Sequence, residues 1–172
     1  MTGEENAGSG VATFCAGSFW DLEAAFRHRP GVLATRVGYM GGTETDPAYE
    51  DVSSGKTGHS EVVMVAYNPE IIPYRALLAI FFENHDPCSP VQGDYVGPQY
   101  SPVIFYHSDE QKEIAGGYIR ELISSGRCKA GVVTRLAPAE TFYIAEDSHQ
   151  QYYEKQANSY SVVQNQENDL DT

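Results

Sequence analysis

Val11-Ala12-Thr13-Phe14-Cys15-Ala16-Gly17-Ser18-Phe19-Trp20-Asp21-Leu22 is the stretch whose reading decides the fold. Val11 to Cys15 is a short apolar run of strand-forming residues, and from Ser18 onward the period changes. Phe19, Leu22, Ala25 and Phe26 then fall along one helical face. The chain has to turn sharply between the two elements, and Gly17 supplies the backbone freedom for it. Ser18 therefore stands at the first exposed position of a helix, where unpaired amides and the helix dipole favour negative charge. A thiol at that position would be a nucleophile of lowered pKa. A serine there also makes an ordinary N-cap.

Outward from this turn, residues 1–10 are small and polar and read as a flexible tail. The first helix, Ser18–Arg29, ends at Pro30-Gly31. Val32–Met40 reads as a second strand, with Gly38 as a kink or bulge. Residues 41–58 carry many turn residues and no apolar period, and a loop that long is suspected of function. His59–Tyr67 is apolar on both faces, hence a central strand. Pro73 opens a helix to about Asn84, with Leu77, Leu78 and Phe81 inward.

A second loop, rich in Pro and Gly, fills 85–102, and Val103–Tyr106 is a strand. Ser108 and Gln111 form a capping box for the next helix, which buries Ile114, Ala115, Tyr118, Leu122 and Ile123. Gly116-Gly117 in its middle lowers helix propensity by about 1 kcal/mol each against Ala, so close packing is expected there. Val132–Leu136 and Phe142–Ile144 read as strands, Glu146–Glu154 as a short helix and 157–172 as a polar tail. The order of elements implies an α/β fold, more closely an α+β two-layer sandwich, in a single domain over 11–156.

A chain of 172 residues suffices for one core, and 41% hydrophobic residues is ordinary for a globular domain. The net charge of −13 argues against nucleic acid and anionic membranes as partners. No apolar run approaches the roughly 20 residues of a membrane span, and the N-terminus lacks the layout of a secretory signal. Three cysteines, Cys15, Cys88 and Cys128, are an odd number without paired spacing. That predicts a reducing compartment, and hence a cytoplasmic location, better than a disulfide framework.

With a cysteine in place of Ser18, Gly17-Ser18-Phe19-Trp20 would match the active-site signature of peptide methionine sulfoxide reductase A, the family this chain resembles. The resemblance continues through Pro30-Gly31-Val32, Arg36-Val37-Gly38-Tyr39, Gly41-Gly42, Tyr49-Glu50-Asp51-Val52 and Gly55 with Thr57-Gly58-His59-Ser60-Glu61. It runs on through His85-Asp86-Pro87 and Gly97-Pro98-Gln99-Tyr100 to Ala145-Glu146-Asp147-Ser148-His149-Gln150-Gln151-Tyr152. Several motifs in fixed order over nearly the whole chain are far more specific than any one of them. The family implies a ferredoxin-like core wrapped by long loops. It also implies reduction of methionine S-sulfoxide, free or in proteins, as a repair reaction under oxidative stress.

Such a reaction needs a soft nucleophile for sulfur, an acid for the departing oxygen and an apolar pocket for the methyl group. By resemblance, Ser18 holds the nucleophile's place and Glu61 that of the acid. Tyr49 and Tyr100 match hydroxyls that bind the sulfoxide oxygen, and Phe19 and Trp20 match the methyl pocket. A glutamate flanked by Val62 and Val63 would be partly desolvated, raising its pKa. The loop Gln92-Gly93-Asp94-Tyr95 departs from the family's usual Gln-Gly-Asn-Asp, and Asp94 is the carboxylate left to hold the site.

A serine hydroxyl does not ionise near neutral pH and cannot form the sulfenic acid of the family's thiol. Three readings of Ser18 are open. It replaces a Cys or Sec by deliberate substitution; it belongs to a natural non-catalytic module that binds oxidised methionine; or Cys15 has become the working thiol. Against the last, about 3.3 Å of strand rise per residue carries Cys15 several Å from the site. Cys88 and Cys128 are the candidate resolving thiols, with small apolar or surface roles as their alternative. The family needs no cofactor beyond an external reductant, such as thioredoxin, glutaredoxin with glutathione, or dithiothreitol.

Other chemistries fit less well. His59-Ser60-Glu61 followed by Pro87-Cys88 lacks the second cysteine of a zinc deaminase, because position 91 is Val91. No Cys/His spacing supports a metal. A Ser18, His59, Glu61 hydrolase triad would lack the Gly-x-Ser-x-Gly elbow. His85 and His149 read as structural hydrogen-bonding residues.

Overall fold

β1 (Gly10–Cys15) lies between β3 (Ser60–Tyr67) and β4 (Val103–Tyr106), antiparallel to both. β2 (Val32–Met40) pairs with the far side of β3. The centre of the sheet thus reads β4-β1-β3-β2. Its crossovers are α1 (Phe19–Arg27) after β1 and α3 (Tyr74–Glu83) after β3. This is the βαββαβ ferredoxin-like core that the resemblance implies. The computed structural model describes residues 9–158. A further helix, α4 (Asp109–Ser124), carries the chain from β4 to β5 (Arg135–Pro138), which runs parallel to β4. β6 (Tyr143–Ile144) adds to the other edge, beside β2.

Strand alternation sorts neighbours into two cores. Phe14 faces the helices, with its ring 5.2 Å from Phe26 of α1 and 5.0 Å from Phe81 of α3. Cys15 joins Met40, Val62, Val103 and Phe105 in a smaller cluster, against which Ala137, Ala139 and Phe142 pack. Ser18 caps α1 as the sequence predicts, its Oγ accepting from the Trp20 N–H at 3.2 Å. Gly17 makes the turn at φ +63°, a conformation that a Cβ would strain.

Several sequence expectations need correction. Gly38 is not a kink: β6 crosses it so closely that a Cβ would lie 2.3 Å from the Tyr143 carbonyl oxygen. The irregularity in β2 falls between Val32 and Ala34 instead. The loop over 41–58 contains a five-residue helix, α2 (Tyr49–Ser53). Pro73 is the N-cap of α3, in extended backbone, rather than its first helical residue. Residues 132–134 do not extend β5, because the Val133 N–H donates to the Pro87 carbonyl at 2.9 Å. Gln111 does not close a capping box: Ser108 Oγ accepts from its N–H, but its own Oε1 accepts from the His107 N–H. The helix expected over 146–154 breaks into a 3₁₀ turn, Asp147–His149, and a helix over 152–158, separated by Gln151 at φ +47°. Gly10 lies in β1 and residues 157 and 158 in this last helix; the rest of both expected tails, save Ser9, lies outside the described residues.

On α4, Ala115 is fully buried and Ile114, Tyr118 and Leu122 pack against the core, but Ile123 is exposed. Gly116 and Gly117 are not closely packed: a Cβ on Gly117 would meet only the flexible Arg120 side chain, at 3.7 Å. Gly117→Ala is therefore expected to raise stability by about 0.5–1 kcal/mol through helix propensity. Denaturant midpoints at unchanged slope would measure it, and a fall in stability would show that the glycine has a packing role.

Candidate active site

The sheet delivers Glu61 to the start of α1. Glu61 lies opposite Tyr39 in the β2–β3 ladder and is 2% exposed. Its Oε1 accepts from the Phe19 N–H at 3.3 Å, while Oε2 is buried without a partner. Burial pushes the carboxyl up to about 7, against the opposing pull of the Phe19 N–H. Near neutral pH the group is therefore divided between acid and carboxylate. Ser18, also buried, sits one residue from this contact. The field of Glu61 reaches the phenols around it. Burial first and Glu61 second raise the pKa of Tyr100; burial leads for Tyr49 as well, with Glu61 adding to it.

Aromatic rings gather near Glu61, whose charge acts on Tyr39, Tyr49 and Tyr100. Phe19 lies 6.2 Å from Tyr49 and 5.9 Å from Tyr39 between ring centres. Trp20 stacks on Tyr152 at 4.0 Å, with Tyr49 6.2 Å away. Tyr49 reaches this wall because α2 begins there, with Asp51 Oδ2 accepting from the Ala48 N–H. His59 holds the preceding loop in place. Its Nδ1 accepts from the Gly42 N–H at 3.0 Å and its Nε2 donates to the Glu44 carbonyl at 2.7 Å. Both nitrogens are thereby engaged with backbone, so His59 cannot serve Ser18 as a base and the triad reading fails.

The loop over 85–102 supplies the opposite wall. Gln92 ties it together, with Oε1 accepting from the Asp86 N–H and Nε2 donating to the Asp86 and Ser89 carbonyls. Tyr95 then lies 5.2 Å from Tyr100, and the Tyr100 carbonyl accepts from the Gly17 N–H at 2.8 Å. Tyr100 is in this way joined to the turn that carries Ser18. Asp94 is not brought to the site: it is exposed at the tip of the Gln92–Tyr95 turn. Its neighbour Tyr95 is the residue of this turn that packs toward Tyr100.

Cys15 lies under this wall rather than in the pocket. Its thiol donates to the Gln99 and Ser101 carbonyls at 3.3 and 3.2 Å, and it is fully buried. Burial pushes its pKa far up, the reverse of what a working thiol needs. Cys88 and Cys128, expected as thiols, are instead joined in a disulfide, which also corrects the expectation of an all-thiol chain. The bond spans 40 residues of sequence, and closing such a loop is worth about 4 kcal/mol of unfolded-chain entropy. It ties the site-bordering loop to the segment after α4. His85 is structural, as the sequence suggests: its Nδ1 meets the Phe81 carbonyl at 2.6 Å and burial lowers its pKa to about 4.

The structure brings together Ser18, Phe19, Trp20, Tyr49, Glu61 and Tyr100. It adds Tyr39, Tyr95, His149 and Tyr152, which sequence reasoning did not place there. The signal for His149 was its place in the Ala145–Tyr152 motif of the family resemblance. Among the described residues no three His, Cys, Asp or Glu side chains gather as ligands for a metal. No described helix is long and apolar enough to cross a membrane.

A family model described as peptide methionine sulfoxide reductase matches residues 10–171. The peptide methionine sulfoxide reductase MsrA of Methanosarcina mazei is 53% identical over 154 residues, covering 88% of this chain and 73% of the relative. Among solved structures, Mxr1 from Saccharomyces cerevisiae in reduced form superposes with a TM-score of 0.81 at 31% identity, over 88% of this chain and 87% of that one. Mxr1 in complex with Trx2 gives a TM-score of 0.60 at 27% identity, over 86% and 87% of the two chains.

Proposed function

The chain belongs to the peptide methionine sulfoxide reductase A family, and on that premise we propose that its pocket binds methionine S-sulfoxide without turning it over. The observation that supports this most directly is the free, buried Oε2 of Glu61 beside the aromatic wall. This oxygen of the acid has no intramolecular partner and is suited to meet a sulfoxide oxygen. Tyr49 and Tyr100 stand within the field of Glu61, and Trp20 with the buried Phe19 beside it is the ring pair assigned to the methyl group. What is missing is the sulfur nucleophile. Ser18 Oγ is committed to the cap of α1, and a hydroxyl at that place is both hard and un-ionised. The inactive form, whether a replaced Cys or Sec or a natural binder, has the same consequence: recognition without chemistry. For a form carrying a thiol at residue 18, the Mxr1 complex supports a thioredoxin-type dithiol as reductant.

Calorimetric titration with the separated epimers of methionine sulfoxide tests this reading. The S epimer is expected to bind and to be recovered unchanged, and the R epimer to bind more weakly. Trp20→Ala should weaken S-sulfoxide binding by about tenfold, more than the 0.8 kcal/mol or so of one methyl group, because a whole ring face is lost and water enters. The same variant will lose some thermal stability, since Tyr152 stacks on the indole. Lost stability with unchanged affinity would remove Trp20 from the site. Absence of binding by the unchanged chain would overturn the reading itself.

A further inference from the structure

The one tryptophan of this chain is held by a histidine. The Trp20 indole Nε1–H donates to His149 Nδ1 at 3.1 Å. An indole nitrogen only donates, so Nδ1 must carry the lone pair and Nε2 the proton. His149 Nε2 accordingly faces Glu146 Oε2 at 3.3 Å. The other oxygen of Glu146 accepts from the Tyr39 hydroxyl at 3.3 Å. A continuous polar line thus runs from Tyr39 through Glu146 and His149 to the indole.

The imidazole is also packed as a wall. Its ring lies 4.3 Å from Tyr49 and 5.6 Å from both Phe19 and Trp20. The turn that carries it is fixed from behind. Gln150 bonds to both backbone groups of Val37 and to the Ala145 carbonyl, and the Gln151 N–H donates to the buried Glu23 carboxylate at 2.7 Å. With Tyr152 stacked on the indole as well, two rings from one short segment set the plane of Trp20.

We propose that His149 is a positioning residue that fixes the Trp20 indole, through Nδ1, in the orientation that receives the methyl group of the sulfoxide. The proposal rests on the methyl-pocket reading of Trp20 above. It separates His149 from a space-filling role, because a space-filling ring would need no acceptor at the Nδ1 position.

Two variants test it. His149→Phe keeps a ring in the stack but has no acceptor, whereas His149→Asn places its Oδ1 where Nδ1 was. Because there is one tryptophan, its indole N–H gives one proton resonance that reports the bond directly. His149→Phe is expected to move that resonance upfield and to weaken methionine S-sulfoxide binding about fivefold, the effect of one lost hydrogen bond. His149→Asn should keep the resonance near its original place and the affinity within about twofold. If His149→Phe does not fold, His149→Leu carries the same expectation. Unchanged affinity in a folded Phe or Leu variant with a shifted resonance would overturn the proposal, as would a resonance that neither variant moves. Failure of the unchanged chain to bind would strike the methyl-pocket reading instead, and the resonance alone would then decide whether His149 holds the indole.

Discussion

Ser18→Cys is expected to give a chain that converts one equivalent of methionine S-sulfoxide to methionine with no reductant added, and that turns over when a dithiol is supplied. The unchanged chain should give no product under either condition. The introduced thiol would stand at the N-terminus of α1, where the cap position receives the Trp20 N–H and the helix dipole favours a thiolate. Its sulfur would bond to the sulfoxide sulfur as the protonated oxygen departs as water. Water then attacks the protein sulfur, the new sulfur–sulfur bond breaks and methionine leaves, so the protein sulfur is left as a sulfenic acid and the redox balance closes within a single turnover. Recycling then depends on an external dithiol, because Cys88 and Cys128 are bonded to each other and Cys15 is buried. Dithiothreitol would also open the Cys88–Cys128 bond, so the single-turnover experiment without reductant is the cleaner measurement. Chiral separation of the remaining sulfoxide reads it. A folded Ser18→Cys chain that binds the S epimer and yields no methionine would show that this pocket does not carry out the family's chemistry.

How much of this site the sequence discloses depends on whether a residue's role is set locally. The β1–turn–α1 unit is legible because an apolar run of strand formers gives way to helical spacing across Gly17, and that change places Ser18 at a helix start. The burial of Glu61 is legible because β3 is apolar on both faces, which marks a central strand. α2 is not legible: five residues are too short for a period, and Tyr49 reaches the pocket only because the preceding loop is fixed by His59. The aromatic wall is not legible either. Trp20 and His149 are 129 positions apart, and nothing local in either segment announces their bond. The Cys88–Cys128 bond fails in the same way, since spacing does not specify pairing. Asp94 and Tyr95 show a finer limit. Strand-like alternation decides which of two neighbours turns inward, but the tip of a four-residue turn has no such rule.

The largest loss expected from any one change is that of Glu61→Gln placed in the Ser18→Cys background. An amide keeps the shape and can still accept the Phe19 N–H, but it has no proton for the departing oxygen. Removing a general acid of this kind costs about 10²–10⁴-fold in rate. The pH dependence carries the sign of the argument. Burial holds the Glu61 carboxyl up to about 7, so the acid form is abundant below that pH and disappears above it. Single-turnover reduction in the Ser18→Cys chain should therefore fall as pH rises through about 7, and the Glu61→Gln chain should lack that limb. Stability should follow the same group by linkage. The folded chain binds this proton more tightly than the unfolded chain, whose glutamate sits near 4.5, so the folded state holds more protons between the two values. Glu61 thus contributes stability that is fully present below about 4.5 and is lost as pH rises through about 7. Thermal unfolding of the Glu61→Gln chain should be flatter across that window, and its Tm should gain on the parent's as pH rises. Rate and stability would then bend at one pH for one physical reason, a carboxyl held in apolar surroundings with one oxygen free. A Glu61→Gln chain that keeps both the alkaline fall in rate and the stability slope would move the acid to another residue. A chain that loses the stability slope alone would leave Glu61 as a buried carboxyl with no part in the chemistry.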